Sequence, residues 1–295
     1  MRPSLMRRPR LTWMVLLVTF AVSAACGHPT DDPWEPGDTG SFVFAPPGRT
    51  PIKVWYAVGS GDVASGRVVV VMHGTNRNAA DYRDSWVPLV RHRPWVVVAP
   101  EFDRDDFPGV AAYNLGGMVD DSGEPVPQSA WTFSYLEPLV EQARAMSGVR
   151  ERSFDLFGHS AGAQFVHRYL EFVPTAPVRR AVAANAGWYT EPDPGVDFPY
   201  GVRDAPRPVD LPALFARDLT VLLGSDDVEE ENLRQDAGAS RQGPTRIDRG
   251  ERFHQVASDE ARDLDTPFRW TLQVVPGVAH DHSPMSAAAA EILAR

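Results

Sequence analysis

The sequence predicts an α/β fold: a mostly parallel, twisted sheet with helices on both faces. Three observations carry this. Short apolar segments alternate with segments of helical period, the pattern of strand–helix–strand crossovers. Two of the apolar segments, residues 68–72 and 95–99, are almost wholly β-branched or aromatic, as strands buried on both faces are. A third, residues 153–157, leads directly into Gly158-His159-Ser160-Ala161-Gly162 and then a helix-like stretch to Phe172. The 295 residues, 43% hydrophobic, suffice for one such domain with a large core, and no internal repeat is present.

Along the chain, residues 42–44 and 52–57 read as early strands at an antiparallel edge. Residues 68–72 form the first strong parallel strand, followed by a helix over 79–90 and the strand at 95–99. Residues 103–128 are a long irregular stretch with several Gly and Pro, and loops of that length are often functional. A helix over 134–147 tolerates Pro138 in its first turn. The strand at 153–157, the helix to Phe172 and a strand over 178–184 follow. Residues 188–213 are proline-rich and connect to a buried strand at 219–224. The last strand is expected over 268–275.

The N-terminus reads as a targeting segment. Arg2, Arg7, Arg8 and Arg10 precede an apolar stretch over 11–22 of signal-peptide length, and Ser23-Ala24-Ala25 supply the small residues before a cleavage point. The stretch is short for a membrane span, and Arg10 weakens a twin-arginine reading of Arg7-Arg8. The only cysteine, Cys26, comes next. This arrangement resembles a bacterial lipoprotein signal, which implies lipidation of Cys26, although Ser23 stands where leucine is usual. The other reading is an ordinary secretory signal followed by a chance cysteine. Residues 1–25 are thus assigned to the signal, 26–40, rich in Pro, Asp and Gly, to a flexible tether, and 41–295 to the folded domain. With Cys26 spent, the mature domain has no disulfide. Loss of four arginines and no acids takes the formal charge from −10 to −14. So acidic a surface argues against nucleic acid and against docking on anionic lipid, leaving a lipid anchor as the one membrane contact. The oligomeric state is not legible.

The Gly158–Gly162 pentapeptide carries the chemistry. A sharp strand-to-helix turn lifts the Ser160 hydroxyl to the mouth of the sheet, and the flanking glycines permit the close strand–helix approach this needs. A serine hydroxyl needs a general base, an acid to orient that base, and oxyanion donors. Asp226 and Asp227 lie just beyond the strand at 219–224, and the Gly-x-x-Asp spacing from Gly224 favours Asp227. His280 follows the Pro276-Gly277 turn beyond the last strand and is the expected base. His282 reads as a surface histidine and His254 lies inside a helix. For the oxyanion, the loop His73-Gly74-Thr75-Asn76 at the end of the 68–72 strand offers the Thr75 N–H, and the residue after the serine offers that of Ala161; His73 reads as a brace for the loop. His280-Asp281-His282 with the acids at 226–231 matches no metal-ligand signature, so no metal is assigned. Trp188 and Tyr189, just beyond a strand end, are candidates for lining the substrate pocket, with Trp131 and Phe133 as weaker ones. Arg246, Arg249 and Arg252 stand at helical spacing and read as an exposed, salt-bridged face; an anion-binding face is the alternative.

The His73-Gly74 loop, the Gly158–Gly162 turn, Asp227 and His280 together resemble the α/β-hydrolase superfamily over about residues 41–295. Within it, His73-Gly74-Thr75-Asn76-Arg77-Asn78, Pro100-Glu101-Phe102-Asp103 and Asn185-Ala186-Gly187-Trp188-Tyr189 resemble secreted bacterial esterases related to polyhydroxybutyrate depolymerases and feruloyl esterases. Depolymerases of that group commonly carry disulfides and an added substrate-binding domain, and this chain has neither. The resemblance implies an exported serine hydrolase of carboxylic esters, small or oligomeric, working through an acyl-enzyme without a cofactor. A serine peptidase or amidase on the same fold, and a catalytically inactive envelope binding protein, are the alternatives.

Overall fold

The computed structural model describes residues 33–120 and 122–295. The signal segment 1–25 and Cys26 lie outside the described residues. Eight strands form one sheet: β1 Thr39–Phe44, β2 Ile52–Val58, β3 Arg67–Met72, β4 Trp95–Glu101, β5 Phe154–His159, β6 Val178–Ala184, β7 Leu219–Gly224 and β8 Thr271–Val275, in the order β1-β2-β4-β3-β5-β6-β7-β8. β1–β2 and β2–β4 pair antiparallel, and every other pair is parallel. The two early strands thus form the expected antiparallel edge, and β5 sits centrally because both its neighbours cross over by helices.

The pleat sorts β3 between two cores. Val68, Val70 and Met72 face one, with α3 (Leu136–Ser147), α4 (Ala161–Phe172), α5 (Leu211–Phe215) and α7 (Arg246–Asp263). Val69 and Val71 face the other, with α1 (Ala79–Val90) and α8 (His282–Leu293). That period of two is why an unbroken valine run serves here: both faces are covered. All twelve residues of α4 are buried, so this helix lies inside the molecule and holds the serine turn at its N-terminus against a rigid background. Two short helices, α2 (Gly109–Ala112) and α6 (Ala237–Ser240), punctuate the loops above the strand C-terminal ends.

Four expectations need correction. The tether assigned to 26–40 ends earlier. Trp34 is buried, stacks on Tyr56 at 4.1 Å, and donates its N–H to Met146 O at 2.8 Å. One aromatic anchor outweighs the Pro/Gly-rich composition around it. The helix expected over 134–147 begins at Leu136, after a 3-10 turn over Thr132–Tyr135. Arg246, Arg249 and Arg252 are not an exposed face: the first two are buried, and the partly exposed Arg252 pairs with the buried Glu191. Trp131 and Phe133 are core residues, Phe133 edge-on to Phe165 at 4.7 Å, and do not reach the serine.

Candidate active site

The turn between β5 and α4 places Ser160 at φ 58°, ψ −116°, a left-handed conformation that L-residues avoid. The surroundings enforce it. A Cβ on Gly158 would lie 2.2 Å from Gly162 O, and one on Gly162 would lie 2.1 Å from Met72 O. Only glycine lets strand, turn and helix pack this closely. The Ser160 N–H is tied to Ala184 O of β6 at 2.9 Å.

Ser160 Oγ lies 3.0 Å from His280 Nε2, and His280 Nδ1 lies 2.6 Å from Asp227 Oδ2. Asp226, the alternative acid, is exposed and accepts from Ser225 Oγ instead. Asp227 meets His280 because the loops after β7 and β8 are stitched together. Asp226 N–H donates to Val278 O at 2.9 Å, Gly277 N–H to Ser225 Oγ at 2.7 Å, and Gly224 N–H to Asn185 Oδ1 at 2.8 Å. Asp227 has a further partner that its sequence neighbourhood does not announce. Arg246 donates from one terminal nitrogen to Asp227 Oδ1 at 3.1 Å.

The upstream loop is braced from behind. His73 is fully buried, and its Nε2 accepts the Phe102 N–H at 3.1 Å, so the ring proton sits on Nδ1 and is donated to Gly74 O at 3.0 Å. Burial pushes this imidazole down to about 3, which keeps it neutral. Gly74 O also accepts from Arg77 N–H at 3.1 Å. In a trans peptide the Thr75 N–H points opposite to that carbonyl, away from its two donors. Ala161 is the first residue of α4, where N–H groups lack helical partners and the helix dipole is positive. Among the described residues neither the Thr75 nor the Ala161 N–H has an intramolecular acceptor.

Two cavities meet at Ser160. One, of about 380 Å³, is lined by Thr75, Ala161, Gln164, Trp188 and Arg246 among others; the second, of about 130 Å³, by Tyr82, His159, His280 and His282 among others. Trp188 thus lines the first cavity, with the guanidinium carbons of Arg168 and Arg234 4.0 and 4.9 Å from its ring. Tyr189 does not. It is fully buried and stacked on Phe253 at 4.4 Å, because the chain turns inward after Trp188. His282 is half-buried rather than a surface residue, stacked on Tyr82 at 4.1 Å with Nδ1 3.3 Å from Ser85 Oγ. Asp281 caps α8 by accepting from Ser283 N–H. No group of three or more metal-ligating side chains occurs among the described residues.

Comparison with known proteins gives the family. Poly(aspartic acid) hydrolase-1 from Sphingomonas sp. KT-1 is 38% identical over 89% of this chain and 100% of its own, with a TM-score of 0.84. Poly(3-hydroxybutyrate) depolymerase from Bordetella parapertussis is 35% identical over 87% of this chain and 90% of its own, with a TM-score of 0.80. The chain belongs to the α/β-hydrolase superfamily. An S-formylglutathione hydrolase from Agrobacterium tumefaciens, 16% identical with a TM-score of 0.54, shares the fold. No protein-family model and no curated protein matches.

In this α/β-hydrolase, sequence reasoning passed over three groups at the site. Arg246 was visible only as one of a periodic series. His159, inside the pentapeptide, packs its ring 4.6 Å from that of His280 and lies 3.0 Å from the Tyr82 hydroxyl. Burial first, and then the neighbouring His280, push His159 well below its ordinary value, so the His159 ring stays neutral. Asn232 lines both cavities from a loop with no motif of its own; its φ of 55° is the one hint that the backbone is shaped there.

Proposed function

We propose that this α/β-hydrolase cleaves carboxylic esters through a serine nucleophile, with Ser160, His280 and Asp227 as the triad. The observation that carries the reading is the unbroken chain of contacts from Ser160 Oγ through His280 to Asp227. Ser160 Oγ attacks the carbonyl carbon as its proton passes to His280 Nε2. Asp227 holds the Nδ1–H and stabilises the imidazolium that results. The Thr75 and Ala161 N–H groups receive the oxyanion. The C–O bond breaks as His280 protonates the leaving alcohol, giving an acyl-enzyme. Water, losing its proton to His280, releases the acid and restores Ser160. No cofactor enters these steps.

Two relatives above 30% identity are named for polymers. An oligomeric ester is the substrate class that these names favour. Amide cleavage is a second reading, favoured by one observation: poly(aspartic acid), for which the first relative is named, is joined by amide bonds. The same intermediates serve both reactions. Export through residues 1–25, with Cys26 as a lipid-modified anchor, belongs to this proposal and rests on the sequence pattern alone.

A fluorophosphonate probe should label the wild-type protein and not Ser160→Ala. Absence of labelling in folded wild-type protein would favour the inactive binding protein. A matched pair, 4-nitrophenyl butyrate and the corresponding butyranilide, then separates esterase from amidase. Faster turnover of the anilide would reverse the assignment.

A further inference from the structure

Ser160 divides the cleft into two unequal sides, and the chemistry says which is which. The proton that His280 takes from Ser160 must go to the leaving oxygen, so the leaving group lies on the His280 side. That side is the cavity of about 130 Å³, lined by His280, His282, His159 and Tyr82. The acyl part of the substrate therefore occupies the other side, the cavity of about 380 Å³ walled by Ala161, Gln164 and Trp188.

The acyl side does not end there. Val110 and Arg234 line this cavity and also a second trough of about 510 Å³. The other walls of the trough include Leu115, Val119, Phe198 and Pro199. Leu115, Val119 and Phe198 pack in one small apolar cluster with Trp188, so the floor of the trough continues from the wall of the first cavity. Val110, at the junction, is 37% exposed, the largest apolar group that α2 presents to solvent. The lining offers both apolar and polar groups along this path. Beside Ser160 it is mixed, with Asn114, Gln164 and Arg246 among its polar members. In the trough an apolar wall of Leu115, Val119, Phe198 and Pro199 stands with the polar Asp120, Ser122 and Arg234. A leaving group finds no comparable apolar continuation among the residues that line its own cavity, which are mostly polar or aromatic.

We propose that the trough walled by Leu115, Val119, Phe198 and Pro199 is an acyl-side subsite, which holds the apolar far end of a long acyl chain and makes the enzyme select on the acyl part of its substrate rather than on the leaving group. The inference rests on the ester-hydrolase reading to name the two sides. Its test does not depend on turnover.

Methyl octanoate and heptyl acetate are isomers with the chain on opposite sides of the ester. Their affinities for the Ser160→Ala protein, which does not turn over, are compared by titration calorimetry. The octanoate should bind at least about tenfold tighter, the effect of burying roughly two methylenes. Val119→Asp in the same background should erase that preference, and Val119→Ile should keep it. Because each ratio is taken within one protein, a fraction of unfolded variant cancels. Equal affinities, tighter heptyl acetate, no binding of either ester, or a preference untouched by Val119→Asp would each overturn the proposal. Failure of the ester-hydrolase reading shows separately, as wild-type protein that the fluorophosphonate leaves unlabelled.

Discussion

Arg246 and Asp227 form an ion pair buried behind the candidate triad, with the arginine side chain 2% exposed and the aspartate 0%. Asp227 thus divides its two oxygens between His280 and Arg246. The guanidinium also donates to Glu229 O at 2.8 Å and Glu231 O at 2.5 Å. One side chain therefore orients the candidate acid and pins the loop that carries Asn232 and Leu233 into the cavity beside Ser160. Arginine suits this because its planar fork serves several acceptors at once.

Arg246→Met should accordingly be damaging in two ways. Removing one partner of a buried pair leaves a charge without compensation, at about 3–5 kcal/mol. The loosened acid and loop should also lower turnover by about a hundredfold per correctly folded site. Arg246→Lys keeps the charge but not the fork, and should recover part of the stability and little of the rate. Urea unfolding together with kcat per titrated active site measures both. An Arg246→Met protein with wild-type stability would show that the pair holds nothing together.

Ser160→Ala should abolish covalent labelling and lower turnover on the order of a million-fold while melting close to wild type, since only a hydroxyl leaves. His280→Ala should be comparably severe. His282→Ala should be milder, because His282 contacts Tyr82 and Ser85 and not Ser160. Its loss unstacks Tyr82, whose hydroxyl meets His159, so a small fall in rate and in melting temperature is expected. Collapse in His282→Ala alone would reverse the assignment of the base.

Much of this was legible from local pattern. The Gly158–Gly162 turn is fixed by contacts within a few residues of Ser160 and with the neighbouring β3 strand, so its sequence signature is nearly complete. The 68–72 run could only be a strand covered on both faces. Asp227 followed from its distance to Gly224, where β7 ends. What failed depended on partners far along the chain. Arg246, Arg249 and Arg252 have the spacing of a solvated face, but acceptors outside the helix, among them Asp227, 19 residues before Arg246, and the Gly187 carbonyl, 62 residues before Arg249, draw the first two inside. Trp188 and Tyr189 are adjacent and chemically alike, yet one lines the cavity and the other stacks on Phe253 of α7. No periodicity distinguishes them. Helix α8 went unassigned although its alanine-rich sequence favours a helix, since its weak amphipathic contrast gives little periodic signal.

Asp227→Asn should lower turnover by about ten-thousand-fold, by favouring the imidazole tautomer that cannot accept the serine proton. Asp226→Asn should cost little, because that carboxylate is exposed and pairs only with Ser225. Steady-state kinetics on one soluble ester rank the two. The opposite order would place the acid one residue earlier.

Acid should destabilise the fold from an unusually high pH, because three histidines are buried neutral. Burial pushes His73 down to about 3, and it pushes His159 and His167 well below the ordinary 6.5. His167 is held like His73, with Nδ1 2.9 Å from Ala163 O and Nε2 accepting the Thr190 N–H at 3.1 Å. A proton on Nε2 would break the bond it accepts and place a charge in the core. Between pH 6.5 and the lowered folded-state values, only the unfolded chain takes up these protons. Their contribution to stability is therefore complete above pH 6.5 and is lost progressively as pH falls below it. By pH 5.5 each histidine should have withdrawn about 1.4 kcal/mol, or about 4 kcal/mol for the three. Urea unfolding at pH 7.5 and 5.5 measures the loss. His73→Gln isolates one share, since an amide can donate to Gly74 O and accept from Phe102 N–H without titrating. Its stability at pH 7.5 should fall modestly, and its loss on acidification should shrink by about 1.4 kcal/mol, the share of one histidine. Carboxylates titrate alike in both proteins and cancel in the comparison. An identical pH dependence in wild type and His73→Gln would show that His73 is not held neutral in the native loop.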